Sequence, residues 1–152
     1  MRVAVGFDHR GVVLRAAVIA AVEASGQNVV DCGVDSAAVP VDYPDVAAAV
    51  GEAIKDGRAE RGVLVCGSGV GACVAANKLR GIRAAICHDA YSAHQGVEHD
   101  DMNVLCLGSE IVGRAVASEL VSVFLAAGFD GGERFVSRLA KVEKLEERLH
   151  GR

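Results

Sequence analysis

A glycine-rich turn between an apolar run and a small-residue segment constrains this chain more than any other feature. The apolar run 63–65 predicts a strand buried on both faces. Glycines then follow at every second position, at Gly67, Gly69 and Gly71, before the small residues of a predicted helix. Such a turn leaves backbone N–H groups bare at the positive end of a helix dipole, which makes it a common ligand site of α/β sheets.

A thiol and a hydroxyl flank these backbone donors. Cys66 is the last residue of the predicted strand, where its side chain is expected to point into the crevice, and Ser68 follows two residues later. The helix N-terminus would lower the pKa of the thiol and suit it to act as a base, while Ser68 and the amides of 69–71 would hold a developing oxyanion. The alternative is a tight turn with a buried, inert cysteine.

The whole chain alternates predicted strands with predicted helices. Strands are expected at 3–7, 28–31, 63–66, 82–87 and 104–107, and helices at 12–25, 44–55, 70–79, 89–99, 113–127 and 134–149. This order predicts a Rossmann-like α/β sandwich of three layers around a five-stranded parallel sheet. The length of 152 residues predicts a single domain over 1–152. Hydrophobic residues make up 51% of the chain and aromatic residues 4%, so small aliphatic side chains must build the core.

Charge and cysteine usage exclude several classes of protein. The net charge of −4 argues against nucleic-acid binding. No run approaches the roughly 20 apolar residues of a membrane span, and the first residues lack the features of a signal peptide, so a cytoplasmic location is expected. The five cysteines are odd in number and never spaced as Cys-x-x-Cys, which favours neither a disulfide framework nor a zinc site.

Three familiar cofactor motifs do not fit. The third glycine, Gly71, comes one residue too early for the dinucleotide fingerprint, and the strand before it is the third of the chain, although Asp89 lies about 20 residues downstream. No P-loop sequence occurs. His88, His94 and His99 do not form a helical set of ligands, so neither a metal nor a nicotinamide cofactor is expected.

Other polar residues are expected near Cys66. Asp8 and His9 follow the first strand and therefore share the carboxyl edge of the sheet with the thiol; an N-cap aspartate beside a solvated histidine is the alternative. Tyr43 begins the helix after the second strand. It suits a wall of the site or a hydrophobic staple, and the sequence does not choose between them.

The last helix carries a pair of arginines. Arg134 and Arg138 lie four residues apart and share one helical face, where two guanidinium groups could grip a phosphate. A solvated charged face is the alternative. Because the apolar stripe of this helix is narrow, the helix is expected to lie across the surface of the domain or across a second subunit.

Together, these motifs resemble type B ribose-5-phosphate isomerase, a family that also includes galactose-6-phosphate isomerase subunits. The resemblance rests on segments 5–11, 42–45, 65–71, 75–78 with 81–84, 99 with 103–105, and 131–134 with 138. It implies an aldose–ketose isomerase of the pentose phosphate pathway that acts through an enediolate without metal or organic cofactor. It also implies a homodimer able to pair into a tetramer, with a C-terminal helix that reaches the partner and a site built from both subunits.

The resemblance assigns a role to each candidate residue. Cys66 would be the base that moves a proton between C1 and C2, Ser68 would shuttle protons at O1 and O2, and His99 would open the furanose ring. The remaining candidates would bind the enediolate, the sugar or the phosphate; they are Asp8, His9, Tyr43, Gly67, Gly69, Gly71, Asp100, Arg134 and Arg138.

Departures from the family pattern put the substrate in question. Asp100 stands where an asparagine is common, Phe135 where histidine is frequent, and Glu110 where many members carry a phosphate-binding arginine. Either Glu110 points away, or His9 and the two arginines of the last helix hold the phosphate, or the substrate is not ribose 5-phosphate. A branch of the family that uses glutamate as base has it at the position of Ala72, so this chain resembles the cysteine branch.

Competing functions follow from the same residues. The first is isomerisation of another pentose phosphate, a hexose phosphate or a tetrose phosphate. The second is a nonenzymatic nucleotide-binding module, in which Cys66 would have no role. The third is thiol-dependent acyl transfer, in which His99 would activate Cys66.

Overall fold

The apolar runs of the sequence form five parallel strands, in the spatial order β2-β1-β3-β5-β4. The computed structural model describes residues 1–150. The strands are β1 (Arg2–Phe7), β2 (Asn28–Asp31), β3 (Arg61–Cys66), β4 (Ala84–Ile86) and β5 (Val104–Gly108). The register places Val5 beside Val63 and Val63 beside Leu105, so the three central strands align their apolar residues in rows.

Six α-helices cover the sheet. They are α1 (Arg15–Ala24), α2 (Tyr43–Lys55), α3 (Val70–Ala76), α4 (Ala90–Asp100), α5 (Arg114–Ala126) and α6 (Glu133–His150). Helices α1, α4 and α5 pack on one face of the sheet, and α2 and α3 pack on the other. The prediction of a three-layer α/β sandwich around a five-stranded parallel sheet is therefore confirmed.

The two cores follow from the alternation of side chains along each strand. Val5, Val63 and Leu105 contact the helices of the first face, whereas Leu64 and Cys106 contact α2 and α3. Both faces are buried, which explains why the central strands are apolar at nearly every position.

The connections leave the central strands in opposite directions. The chain passes from β1 to α1 on one face and from β3 to α3 on the other. Diverging connections open a crevice between the carboxyl ends of neighbouring strands, the usual ligand position in such sheets. The residues after β1 and those after β3 meet in this crevice.

Two helices differ from the boundaries that the sequence predicted. The segment expected as one helix from residue 12 begins with a 3-10 helix, Gly11–Leu14, because the Asp8 carboxylate binds two amides in the turn before it. Helix α3 ends at Ala76 rather than near residue 79. Its end is fixed by the side-chain amide of Asn77, which donates to the carbonyl of Ala84 at 2.8 Å and accepts from the Ala84 amide at 2.9 Å.

Helix α6 lies across α4 of its own chain, in keeping with a surface position. Phe135 is its buried anchor, and Glu146 accepts a hydrogen bond from the Gly81 amide at 2.8 Å. Val142 and Leu145 remain about half exposed, and a contact of α6 with a second subunit stays a prediction. Within residues 1–150, no helix combines the length and the apolar character needed to cross a membrane.

Candidate active site

A cavity of about 200 Å³ opens at the carboxyl ends of β1 and β3. It is lined by residues from three segments that are distant in sequence: the turn after β1, the start of α2 and the glycine turn after β3. The lining residues are Asp8, His9, Arg10, Val41, Asp42, Tyr43, Cys66, Gly67, Ser68 and Gly71. Most of the candidates that the sequence proposed for this edge therefore meet in one place.

Cys66 lies at the inner wall of this cavity. Its side chain is 4% exposed, and its sulfur accepts a hydrogen bond from the Gly69 amide at 3.1 Å. Gly69 has a φ of +82°, a conformation that glycine adopts readily and that turns its N–H back toward the thiol. Ser68 is exposed, and its Oγ accepts from the Val70 amide at 3.3 Å. A negatively charged sulfur at this place would keep its amide donor.

Asp8 and His9 are held in position by the backbone. One carboxylate oxygen of Asp8 accepts from the amides of Arg10 and Gly11 at 2.9 and 2.7 Å, and the residue is 5% exposed. Asp8 thus shapes the turn as well as lining the cavity. His9 Nδ1 donates to the carbonyl of Val41 at 3.2 Å, which directs Nε2 away from that carbonyl.

Close packing against two glycines shapes the cavity wall. A Cβ built on Gly71 would lie 2.8 Å from the Tyr43 ring, so the phenol rests directly on the glycine turn. Tyr43 is therefore a wall of the cavity, one of the two interpretations that its sequence position allowed. A Cβ on Gly67 would likewise lie 2.6 Å from the guanidinium carbon of Arg10. Sequence reasoning missed Arg10, although it directly follows Asp8 and His9.

Glu110 lies at the mouth of the same cavity. Its amide donates to the Gly67 carbonyl at 2.9 Å, and its carboxylate is 3.5 Å from an Arg10 nitrogen. Glu110 therefore faces Arg10 instead of pointing away from the site. The neighbouring Ser109 binds the Cys66 carbonyl through its amide at 2.9 Å and the Arg10 carbonyl through its hydroxyl at 2.9 Å.

His99 and Asp100 lie elsewhere, at the C-terminal end of α4. The residues after α4 lead to the amino ends of the strands, where the Asn103 amide donates to the carbonyl of Arg83 and the Gly62 amide donates to the carbonyl of Asn103. Since β5 has five residues, this edge is about 17 Å from the carboxyl edge. One chain therefore does not bring His99 to Cys66.

The arginines of α6 belong to this second region. The His99 ring stacks on Phe135 with centroids 4.3 Å apart, and the Arg134 guanidinium lies 4.6 Å from the centre of the same ring. Arg134 and Arg138 are exposed, and among residues 1–150 neither forms an ion pair with an acidic side chain. We call His99, Asp100, Phe135, Arg134 and Arg138 the amino-edge cluster.

Comparison with known proteins shows which family the chain resembles. The family model described as Ribose/Galactose Isomerase matches residues 3–142. Ribose-5-phosphate isomerase B of Escherichia coli (strain K12) is 39% identical over 147 residues, which cover 97% of each chain. D-erythrulose-4-phosphate isomerase of Pectobacterium atrosepticum is 38% identical over 145 residues, 95% of this chain and 93% of the relative. The structure of type B ribose 5-phosphate isomerase from Trypanosoma cruzi superposes with a TM-score of 0.93 at 41% identity, covering 97% of this chain and 99% of that one.

The chain belongs to the ribose/galactose isomerase family. It is a sugar phosphate isomerase, so the family resemblance in its motifs is confirmed. Acyl transfer through a pair of Cys66 and His99 has no geometric support within a chain, since the two residues lie at opposite edges of the sheet. Because the chain is an enzyme, the alternative of a nonenzymatic nucleotide-binding module is also set aside.

Titratable groups around the glycine turn of this isomerase have shifted pKa values. Burial lowers the pKa of His88, whose Nε2 accepts a hydrogen bond from the Gly108 amide at 3.0 Å. Cys73, on α3, has its pKa lowered to about 7, chiefly because the Cys106 thiol donates a hydrogen bond to it. The same hydrogen bond, followed by burial, raises the pKa of Cys106. These groups lie beside the cavity and do not line it.

Proposed function

We propose that this isomerase interconverts ribose 5-phosphate and ribulose 5-phosphate, with Cys66 as the base. The observation that carries the proposal is the placement of the Cys66 sulfur in a cavity whose walls include a hydroxyl, an aromatic ring and the backbone of a glycine turn. Relatives whose names state this reaction, at 39–41% identity over nearly the whole chain, support the choice of substrate.

The chemistry requires two coupled proton movements. The Cys66 thiolate takes the proton from C2 of the open-chain aldose, and the electron pair of that bond moves to give an enediolate with its charge on O1. The thiol then returns the proton to C1, while Ser68 relays the hydroxyl proton from O2 to O1. A base of this kind contributes roughly 10²- to 10⁴-fold in rate, and one oriented donor to the enediolate oxygen adds about 3 kcal/mol.

The second half of the site comes, in this proposal, from a second copy of the chain. His99, Arg134 and Arg138 lie about 17 Å from the edge that holds Cys66, too far to touch the same small sugar. A homodimer would bring the amino-edge cluster of one subunit to the cavity of the other. The half-exposed Val142 and Leu145 on α6 provide apolar area for such a contact.

In the dimer, the polar residues of the cluster take the roles that the resemblance implied. His99 protonates the ring oxygen to open the furanose, and Asp100 binds the sugar hydroxyls beside Asp8 and Tyr43. Arg134 and Arg138 grip the phosphate together with His9. The guanidinium groups suit this role because each can bind two phosphate oxygens at once.

A tetrose phosphate is the second candidate substrate. The relative named D-erythrulose-4-phosphate isomerase is 38% identical to this chain, against 39% for the ribose-5-phosphate isomerase. Moving a proton between C1 and C2 of a sugar one carbon shorter requires the same base and donors, so only the distance between the reacting carbons and the phosphate site distinguishes the two.

The test is a comparison of kcat/KM for ribose 5-phosphate and D-erythrulose 4-phosphate, measured with EDTA present. We expect a preference for the pentose of about tenfold or more, the size of effect that one misplaced phosphate contact produces. Cys66→Ala should abolish turnover of both sugars, and Cys32→Ala, which alters a half-buried cysteine outside the cavity, should not. Preference for the tetrose would reassign the substrate, and retained activity in Cys66→Ala would overturn the base.

A further inference from the structure

We propose that Arg10 is a phosphate-binding residue of this isomerase and that Glu110 sets its affinity by competing with the substrate phosphate for it. The proposal rests on the proposed function in one respect, that the cavity beside Cys66 receives the sugar phosphate. It adds a cation on the same chain as the base to the arginines that a second subunit would bring.

The guanidinium of Arg10 lies against the glycine turn. A Cβ on Gly67 would be 2.6 Å from its Cζ and 2.8 Å from two of its nitrogens, so only a glycine lets the group lie there. Gly67 is the residue next to Cys66. A sugar phosphate whose phosphate group binds this guanidinium would therefore also reach the Cys66 thiol with its carbon atoms.

The backbone of Arg10 is fixed from two sides. Its amide donates to the Asp8 carboxylate at 2.9 Å, and its carbonyl accepts from the Ser109 hydroxyl at 2.9 Å. The side chain itself is 58% exposed and reaches the cavity mouth. A fixed backbone with an accessible guanidinium limits the entropy lost when an anion binds.

Charge balance in the cavity also points to Arg10. Among the residues that line the cavity, the ionisable ones besides Arg10 are Asp8, His9, Asp42, Tyr43 and Cys66. Arg10 alone in this set carries a positive charge at every working pH. A phosphate dianion next to two aspartates needs such a charge, and a guanidinium can bind two of its oxygens at once.

Glu110 holds Arg10 only loosely. An Arg10 nitrogen lies 3.5 Å from a Glu110 oxygen, and the two side chains are 58% and 65% exposed. Ion pairs this exposed are weak and exchange easily. An arriving phosphate can therefore take over the guanidinium, but it must displace the carboxylate and tolerate its negative charge nearby. Removing the charge of Glu110 should consequently tighten phosphate binding, whereas removing Arg10 should weaken it.

The experiment is titration calorimetry of inorganic phosphate into the full-length protein and into Arg10→Gln, Glu110→Gln and the double variant. We expect Arg10→Gln to raise the Kd about tenfold and Glu110→Gln to lower it about fivefold. In the Arg10→Gln background, Glu110→Gln should change the Kd by no more than about twofold, because competition for the guanidinium is gone and only direct repulsion between the carboxylate and the phosphate remains. The KM for the sugar phosphate should move in the same directions with kcat held within about twofold.

A matched pair of surface charges provides the control. Arg2 and Glu60 form an ion pair of similar exposure, 51% and 49%, at the opposite edge of the sheet. Arg2→Gln and Glu60→Gln should leave the phosphate Kd unchanged. If they change it as much as the cavity variants do, general surface charge and not Arg10 explains the effect, and the proposal fails.

Two further results would overturn the proposal. An unchanged Kd in Arg10→Gln would show that the guanidinium does not meet the phosphate, and a full fivefold gain from Glu110→Gln in the Arg10→Gln background would show that Glu110 does not act through Arg10. The probe is inorganic phosphate, so these outcomes are independent of turnover. A wild-type protein that binds phosphate through Arg10 but does not isomerise ribose 5-phosphate would contradict the proposed substrate and leave the role of Arg10 intact.

Discussion

The cavity at the carboxyl edge and the cluster at the amino edge of this isomerase contain most of its candidate site residues, but they are built differently. In the cavity, Cys66 and Asp8 are each less than 6% exposed and are bound by backbone amides. In the amino-edge cluster, Arg134 and Arg138 are exposed on one helix, and a stacked pair of rings, His99 and Phe135, is the main fixed feature.

This difference separates two tasks. Proton transfer requires atoms held within a few tenths of an ångström, which a sheet edge and a glycine turn provide. Opening a ring and holding a phosphate tolerate longer, more mobile side chains. We infer that the cavity is formed by each chain alone, whereas the amino-edge cluster acts only when a second chain brings it to a cavity.

Mixing two variants that are each impaired at low substrate tests this division and has the largest expected effect. Cys66→Ala should lower kcat by about 10³-fold or more, because the base is lost. Refolded together with an equal amount of the Arg134→Ala/Arg138→Ala variant, it should regain about a quarter of wild-type activity at low substrate, since half of the random dimers contain one intact site. Steady-state rates per subunit measure this recovery.

The control for mixing is a refolded mixture of Cys66→Ala with itself, which should stay inactive. Activity no higher than the average of the two separate variants would mean that both regions serve a site within one chain. In that case the proposed exchange between subunits would be wrong.

Single substitutions in the amino-edge cluster should affect binding more than chemistry. Arg134→Ala and Arg138→Ala should each raise KM about tenfold and leave kcat within about threefold, since each removes a charge-assisted contact to the phosphate. Lys144→Ala, an exposed cation on another face of α6, serves as the matched control. Unchanged kinetics in both arginine variants would remove the phosphate assignment.

A substitution that disturbs the packing of the cavity wall should have a smaller effect on activity. Gly71→Ala places a methyl group 2.8 Å from the Tyr43 ring, so the ring must move and kcat/KM should fall about tenfold. Gly113→Ala has no atom within 4 Å of the new Cβ and a φ of −83°, and should leave kinetics unchanged. Equal activity of the two variants would show that Tyr43 does not shape the site.

The smallest expected effect concerns His88, which lies beside the cavity and does not line it. Because burial lowers the pKa of His88, the folded chain resists a proton that the unfolded chain accepts below about pH 6.5. Stability from neutral His88 is therefore present above that pH and declines as the pH falls toward the lowered value. Urea unfolding between pH 5 and 8 should show a shallower decline for His88→Gln than for the wild type, and parallel curves would contradict this.

Much of the fold was predictable from sequence patterns that extend over only a few residues. Apolar runs separated by amphipathic segments predicted the parallel sheet, and the glycine turn predicted where a ligand site opens. The helix boundaries were less predictable. The side chain of Asp8 decides how the 3-10 helix begins, and the side chain of Asn77 decides where α3 ends. Both act through contacts with backbone groups that only the folded chain brings near. In the site, Cys66, Ser68, Asp8 and His9 were expected at the edge where they line one cavity, Tyr43 was left open between a wall and a staple, and Arg10 was missed.

By itself, the sequence determined the sheet, the edge at which the glycine turn lies and, through its motifs, the isomerase family. These follow from hydrophobic periodicity and local backbone chemistry, which act over a few residues. The tertiary structure alone decided that Arg10 covers Gly67, that Glu110 faces Arg10, and that His99 lies at the other edge of the sheet from Cys66. Such relations depend on strand order and on the direction of each helix, since residues distant in sequence meet only when the whole sheet is assembled.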